Sequence, residues 1–298
     1  MVNSFEVVLV PTIIILLGML LRRTGYLNKY DSKILSKLVL NICLPALIFT
    51  NIATCNITVD LLYLPIVALI ISIFGMLIAV TYSKLRGYSK KLLWTLVIAI
   101  SLMNTAFIGY PVVLGVFGND GFIRAVFFDV TIGVMLVFYG MLLVSQFGGD
   151  KKSVIKNMLS FMPLWALIFG LIFNIFNIPL GYVLSNVLDY LSGATICLIM
   201  LSLGLTIDFR SVRGYFVDTS FVVIMRLVLI PLIVYMVLSH FMSGLSFNIA
   251  VMDSAMPVAM NSMILAINYD LDSELLAIII FISTILSLFT LPLVISLL

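Results

Sequence analysis

Charge is what this chain has least of. Of its 298 residues only 10% are Asp, Glu, Lys or Arg, while 63% are hydrophobic and the mean hydropathy is +1.28. A soluble domain carries about 25% charged residues. This chain has too few polar residues to coat a water-exposed surface, and it reads as an integral membrane protein. Histidine is almost absent, with His240 alone, and the three cysteines are Cys43, Cys55 and Cys197. A catalytic zinc site needs several His or Cys ligands, so metal catalysis is set aside and no cofactor is expected. Three is an odd number, and the spacings match neither a disulfide framework nor a metal site. No basic cluster precedes the first apolar run; Arg22 and Arg23 follow it. That order is the reverse of a signal peptide, so the run is expected to stay as a first span.

What is there is apolar length. A helix needs about 20 apolar residues to cross a bilayer. Ten runs qualify, at 4–21, 34–54, 61–83, 92–117, 122–147, 158–177, 181–206, 215–241, 246–267 and 274–297. They are long and continuous, whereas a barrel would show alternating segments of about ten residues. The short connections leave no room for a soluble catalytic, nucleotide-binding or nucleic-acid-binding domain. All of the 16 Lys and Arg except Arg124 and Arg226 fall in or beside odd-numbered loops. These include Arg22, Arg23, Lys29, Lys33 and Lys37, then Lys84, Arg86, Lys90 and Lys91, then Lys151, Lys152 and Lys156, then Arg210 and Arg213. The positive-inside rule makes those loops cytoplasmic and puts both termini outside, in a multi-pass protein of the cell membrane. The ninth loop, with Asp270 and Asp272, carries only acids, which count little in that rule.

The longest polar interval falls midway. It divides the chain into a first five-helix half, 1–147, a short cytoplasmic linker, 148–157, and a second half, 158–298. Five spans per half make the second half enter from the opposite side, as in inverted-repeat transporters that bind substrate where the repeats meet. Two spans carry matched irregularities. The fourth reads Asn104-Thr105-Ala-Phe-Ile-Gly109-Tyr110-Pro111, and the ninth reads Asp253-Ser-Ala-Met256-Pro257-Val-Ala-Met-Asn261. Proline removes a backbone donor and frees a carbonyl. Inside hydrocarbon those groups need protein, water or ligand. Broken helices present half-helix N-termini, which suit an anion such as a carboxylate. A proline kink that only shapes packing is the plainer alternative for either helix alone. Two kinks in corresponding spans favour a binding site.

The stretch from Asn104 to Pro111 resembles the fourth-helix motif of the auxin efflux carrier family, which includes plant PIN-type exporters and malate-permease-like bacterial carriers. Asn41-Ile-Cys-Leu-Pro45 is similar to that family's second-helix pattern, and Ala255 to Asn261, with Tyr269 and an acidic turn, to its ninth. The resemblance runs over the whole chain. It implies an all-α fold of ten helices in two inverted five-helix repeats, with broken helices 4 and 9 crossing at the substrate. It also implies a scaffold of spans 1, 2, 6 and 7, a mobile transport domain, elevator-like movement and a homodimer through the scaffold. The short central linker fits prokaryotic members better than PIN-type exporters.

The expected function is a secondary transporter of small organic anions, mono- or dicarboxylates, with no enzyme activity. Asn104, Thr105, Gly109, Tyr110 and Pro111 are the expected binding residues with Met256, Pro257 and Asn261, while Asn41 and Pro45 line the scaffold side. Asn104 and Asn261 are expected to donate to the carboxylate or to line the crossing. Charges within spans are functional candidates. Arg226 is expected to pair with an aspartate or meet the substrate carboxylate; a structural ion pair is the alternative. Asp129 is a second carboxylate at depth. Asp253 adjoins the break and is the expected coupling group, by taking a proton or sodium. Asp189 and Asp218, nearer span ends, are expected to be solvated, and Arg124 to attract anions or reach the interface. The small residues Gly18, Gly193, Ala194, Ser202 and Gly204 are expected to permit close helix packing. Two other classes stay open: a ligand-sensing receptor on a transporter fold, and a sodium-coupled carrier similar to bile-acid symporters.

Overall fold

The computed structural model describes residues 4–206 and 215–298. Arg210 and Arg213, counted in the seventh loop, lie outside the described residues. In chain order the helices are α1 (Ser4–Arg23), α2 (Lys29–Leu38), α3 (Leu44–Thr54), α4 (Val59–Leu85), α5 (Lys90–Ser101), α6 (Tyr110–Phe147), α7 (Lys151–Leu159) and α8 (Met162–Ile175). They continue as α9 (Gly181–Gly193), α10 (Thr195–Thr206), α11 (Phe216–Ile224), α12 (Ile230–Leu238), α13 (Gly244–Ser254), α14 (Ser262–Asn268) and α15 (Ser273–Ser296). Among the described residues the fold is all helix apart from one isolated antiparallel bridge, Met103 to Val258.

Ten spans were expected, and among the described residues six helical runs are long and apolar enough to cross a membrane: 30–54, 59–85, 105–147, 181–206, 216–238 and 273–296. The difference has local causes. Expected spans four and nine are cut in two, at 102–104 and 255–261. Expected spans four and five meet within α6 at Gly118, whose φ 64° and ψ −161° make a sharp kink between two helical segments. That backbone region is essentially reserved for glycine. Within the expected linker 148–157, Lys151, Lys152 and Lys156 lie on the short helix α7. Asp150 Oδ1 accepts from the Lys152 amide at 2.9 Å at its start.

Three π-helical turns, Val39–Cys43, Thr105–Gly109 and Met225–Leu229, each stand two residues before a proline: Pro45, Pro111 and Pro231. A proline cannot donate to the carbonyl four residues back. The backbone responds by widening. The amides of Leu44, Gly109 and Ile230 donate five residues back, to Val39, Asn104 and Met225. The donors needed inside hydrocarbon are thus kept within the helix.

The chain forms two compact units. The first comprises 1–58, 110–126 and 159–207. Here α1 packs on α10, α10 on α2, and α3 on α8 and α9. Glycines set the α1–α10 approach, since a Cβ on Gly204 would stand 2.1 Å from the Ile15 carbonyl oxygen and 2.9 Å from Gly18 Cα. Of the small residues expected to pack closely, Gly18 and Gly204 do so, while Gly193 has nothing within 4 Å of an added Cβ. Ser202 bridges α10 to α2, bonding the Ser36 hydroxyl at 2.7 Å and donating to the Ser32 carbonyl at 3.0 Å. The Asn174 amide donates to the Ile52 and Cys55 carbonyls at the end of α3, at 3.0 and 2.6 Å.

The second unit comprises 59–109, 127–158 and 208–298. Here α4 packs on α5 and α13, and α15 on α5, α11 and α14. Lys91, beside the third loop, pairs with Asp270 of the ninth. Ser246 donates to Asp60, joining the starts of α13 and α4. The third and ninth loops therefore share one end of this unit, as alternation requires, despite the ninth loop's acids. Asp218 is not simply solvated: it accepts from the Tyr82 and Tyr88 hydroxyls at 3.1 and 2.8 Å.

The hydrogen bond and charge of Lys91 hold the exposed Asp270 carboxyl below its ordinary range. A depressed folded pKa contributes stability above the unfolded value, and that contribution is lost as pH falls through the folded one. Lys91→Met is therefore expected to destabilise slightly at neutral pH, because the pair is exposed. The difference from wild type should vanish on acidification below the ordinary aspartate range, read from thermal unfolding in detergent across pH.

Candidate functional site

The site is built where the two interrupted helices of the second unit cross. α5 ends at Ser101, and Leu102 to Asn104 run extended. α13 ends at Ser254, and the chain does not resume a helix until Ser262. The interruptions pair as a two-bond clasp. The Asn104 amide donates to the Pro257 carbonyl at 2.9 Å, and the Ala259 amide to the Leu102 carbonyl at 3.0 Å. Each break thus satisfies groups the other exposes, which is what backbone at membrane depth requires. The Val258 amide, on the bridge itself, donates to Ser283 Oγ of α15 at 3.3 Å.

Arg226 binds this crossing together, and its role differs from both expectations. It is fully buried, yet its guanidinium donates to backbone and not to a carboxylate. Nη1 reaches the Ile100 carbonyl at 3.4 Å; Nη2 reaches the Ser254 and Met256 carbonyls at 3.1 and 2.7 Å. These carbonyls belong to the C-terminal ends of α5 and α13 and to the break that follows. Helix C-termini carry partial negative charge and unsatisfied carbonyls. One planar cation with several donors serves both ends at once. Arg226 sits in the π-helical turn of the eighth span.

Around the clasp the polar groups are buried and incompletely satisfied. Asn104 is 3% exposed. Its Oδ1 accepts from the Phe107 amide at 3.3 Å, so it caps the second half of the broken helix, while its Nδ2 has no partner. Asp253 is fully buried and neither carboxyl oxygen has a hydrogen-bond partner. Thr105, also fully buried, donates its hydroxyl to Asp129 Oδ1. Gly109 lies between these groups. A Cβ there would stand 3.1 Å from Asp253 Oδ1, and 3.6 Å from both Thr105 Cβ and Met256 Cγ.

Of the residues read from the sequence, the structure gathers Asn104, Thr105, Gly109, Asp129, Arg226, Asp253, Met256 and Pro257 within the second unit. Asn261 precedes α14 without a side-chain cap bond. Asn41, Pro45, Tyr110 and Pro111 belong to the first unit. There the Asn41 side chain is exposed and donates to its own helix at Lys37, 2.9 Å away, and Pro45 enters α3 after a π-helical turn. Tyr110 is buried edge-on to Phe122, with ring centroids 5.1 Å apart. Arg124, though near an end, donates at 3.1 Å to the Asp120 carbonyl. Ser283 was not foreseen, and one serine in an apolar helix is a weak signal. The link from Thr105 to Asp129 needed three dimensions.

Comparison with known proteins bears on the whole chain. The family model described as membrane transport protein matches residues 4–295. An uncharacterized transporter of Methanothermobacter thermautotrophicus is 38% identical over 295 residues, covering 98% of this chain and 97% of that one. An uncharacterized transporter of Methanocaldococcus jannaschii is 33% identical over 299 residues, covering 97% and 96%. These matches agree with the transporter class read from the breaks and from the fourth- and ninth-helix motifs.

Proposed function

This chain belongs to the membrane transport protein family, and on that premise we propose that it is a secondary transporter of small organic anions, mono- or dicarboxylates, working by alternating access. The carrying observation is the crossing of two broken helices with the side-chain nitrogen Nδ2 of Asn104 buried and unpartnered beside it. A buried donor at the start of a half-helix is costly unless something accepts from it. A carboxylate fits both that donor and the partial positive charge of the half-helix N-terminus.

The finer architecture is part of the same proposal. Ten spans form two inverted five-helix repeats, 1–147 and 158–298, joined through 148–157. The first unit serves as scaffold and the second carries the substrate in an elevator-like movement. The grouping supports this: spans one, two, six and seven fall in the first unit, while both breaks fall in the second. Asn41 and Pro45 line the scaffold side, and Tyr110 and Pro111 continue the fourth span from the crossing. Scaffold helices pair two copies into a homodimer. Both termini face away from the cytoplasm of a cell membrane, by the distribution of Lys and Arg.

The test is uptake of radiolabelled malate, lactate, short carboxylates and indole-3-acetate into proteoliposomes, with charge movement recorded alongside. One anion is expected to be carried. Asn104→Ala is expected to lower its transport roughly 10–100-fold, the value of one hydrogen bond to a charged group. Saturable anion binding without any movement would instead support a ligand-sensing receptor.

A further inference from the structure

We propose that Asp253, Asp129 and Thr105 form a binding site for a small desolvated monovalent cation, with Na⁺ as its probe, directly beside the crossing of the broken helices. The proposal rests on the transporter reading and adds a second ligand to it.

Asp253 is fully buried, and both carboxyl oxygens lack a hydrogen-bond partner. A buried carboxylate is normally paired, hydrogen-bonded or bound to a metal, because leaving it bare is among the largest penalties a fold can carry. Within the membrane such a group marks an ion or substrate path. The nearby cation does not relieve it. Arg226 directs both of its Nη groups to the carbonyls of Ile100 and of Ser254 and Met256, which follow Asp253 in sequence, and not to the Asp253 side chain.

A second carboxylate makes the deficit larger. Asp129 accepts the Thr105 hydroxyl. Gly109, whose missing side chain leaves a gap one carbon wide, lies between Asp253 and Thr105, and Thr105 in turn bonds Asp129. A Cβ at 109 would touch Asp253 Oδ1 at 3.1 Å and Thr105 Cβ at 3.6 Å. Carboxylate and hydroxyl oxygens around a narrow gap are a hard donor set, suited to hard cations and not to transition metals. No cluster of three or more His, Cys, Asp or Glu exists among the described residues, so a multivalent ion would lack ligands. One small monovalent cation would offset one of the two carboxylate charges beside the crossing. That would lower the repulsion an anion meets from Asp253 and Asp129 on approaching the crossing.

The test reads binding without any transported anion. Purified protein is unfolded thermally in detergent at fixed pH and ionic strength, in NaCl, KCl or choline chloride, and ²²Na⁺ binding is measured in parallel. Na⁺ is expected to raise the unfolding midpoint over choline in a saturable manner, and ²²Na⁺ to be displaced by Na⁺ but not by choline. Asp253→Asn is expected to abolish both signals, Gly109→Ala to weaken apparent affinity at least about tenfold, and Asp270→Asn, at the surface, to keep both. Should Asp253→Asn not fold, Asp129→Asn gives the same reading. The proposal is overturned if Na⁺ and choline give equal midpoints with no displaceable ²²Na⁺, if the Na⁺ signal survives Asp253→Asn, or if only acidification stabilises the protein. Na⁺ binding that stands while no anion is carried would sink the transport reading and leave the cation site intact.

Discussion

Replacing Arg226 with methionine is expected to abolish transport and to lower stability by about 3–6 kcal/mol, taking roughly 1–2 kcal/mol for each buried carbonyl left without its donor. The side chain is fully buried and serves three carbonyls on two helix ends and the break beyond. Methionine fills similar volume, so the loss isolates hydrogen bonding and charge from cavity formation. Arg226→Lys should fall between, since an ammonium on a flexible stem cannot reproduce the planar fork. The measurement is unfolding in mild detergent with transport assayed on the folded fraction. If Arg226→Met matched wild type in both, the guanidinium would not be what holds the crossing.

Gly204→Ala is the second large effect, and it lies in the other unit. The added carbon would enter the van der Waals space of the Ile15 carbonyl at 2.1 Å and of Gly18 Cα at 2.9 Å. Ordinary overpacking of a core costs about 1–3 kcal/mol. Here the obstructing atoms are backbone and cannot swing aside, so the cost should exceed that range and force α1 from α10. The Arg22 bond to the Leu205 carbonyl, 3.1 Å, and the serine contacts between α2 and α10 would be disturbed with it. Gly193→Ala, at a helix end with open space around it, should change stability by no more than about 0.5 kcal/mol. Equal unfolding midpoints for the two variants would refute the close-packing account.

Much of this was legible in the sequence because hydrocarbon leaves little freedom. Long apolar runs have to be helices, and prolines inside them have to mark irregular backbone. So Pro111 and Pro257 pointed to the crossing, and Asn104 and Asp253 beside them to its polar groups. Gly118, before Asn119 and Asp120, read as the boundary of two spans, and two helical segments do meet there, in a sharp kink and not a longer loop. The central polar interval read as a linker without its local conformation, because Lys and Asn are equally compatible with a short helix such as α7. Arg226 was recognised as important and given the wrong partner. A charge in a span calls for an opposite charge on electrostatic grounds, whereas here the negative ends of two helices stand in for a carboxylate. Those ends exist only because two other spans are broken, so the partner appears only when three spans are considered together.

The clasp also imposes an order on biogenesis. Ile100 and Leu102 offer carbonyls, and Asn104 an amide, whose partners are Arg226, Ala259 and Pro257. Arg226 lies 126 residues further along the chain than Ile100. While the ribosome is still making the second half, the inserted fourth span has none of these partners. It must stay near water or lipid headgroups, or borrow bonds from the insertion machinery. Contacts so distant in sequence close slowly. The nascent fourth span is thus a dependent of spans eight and nine, and a chain truncated before span eight should be read by quality control as unfinished at that one helix.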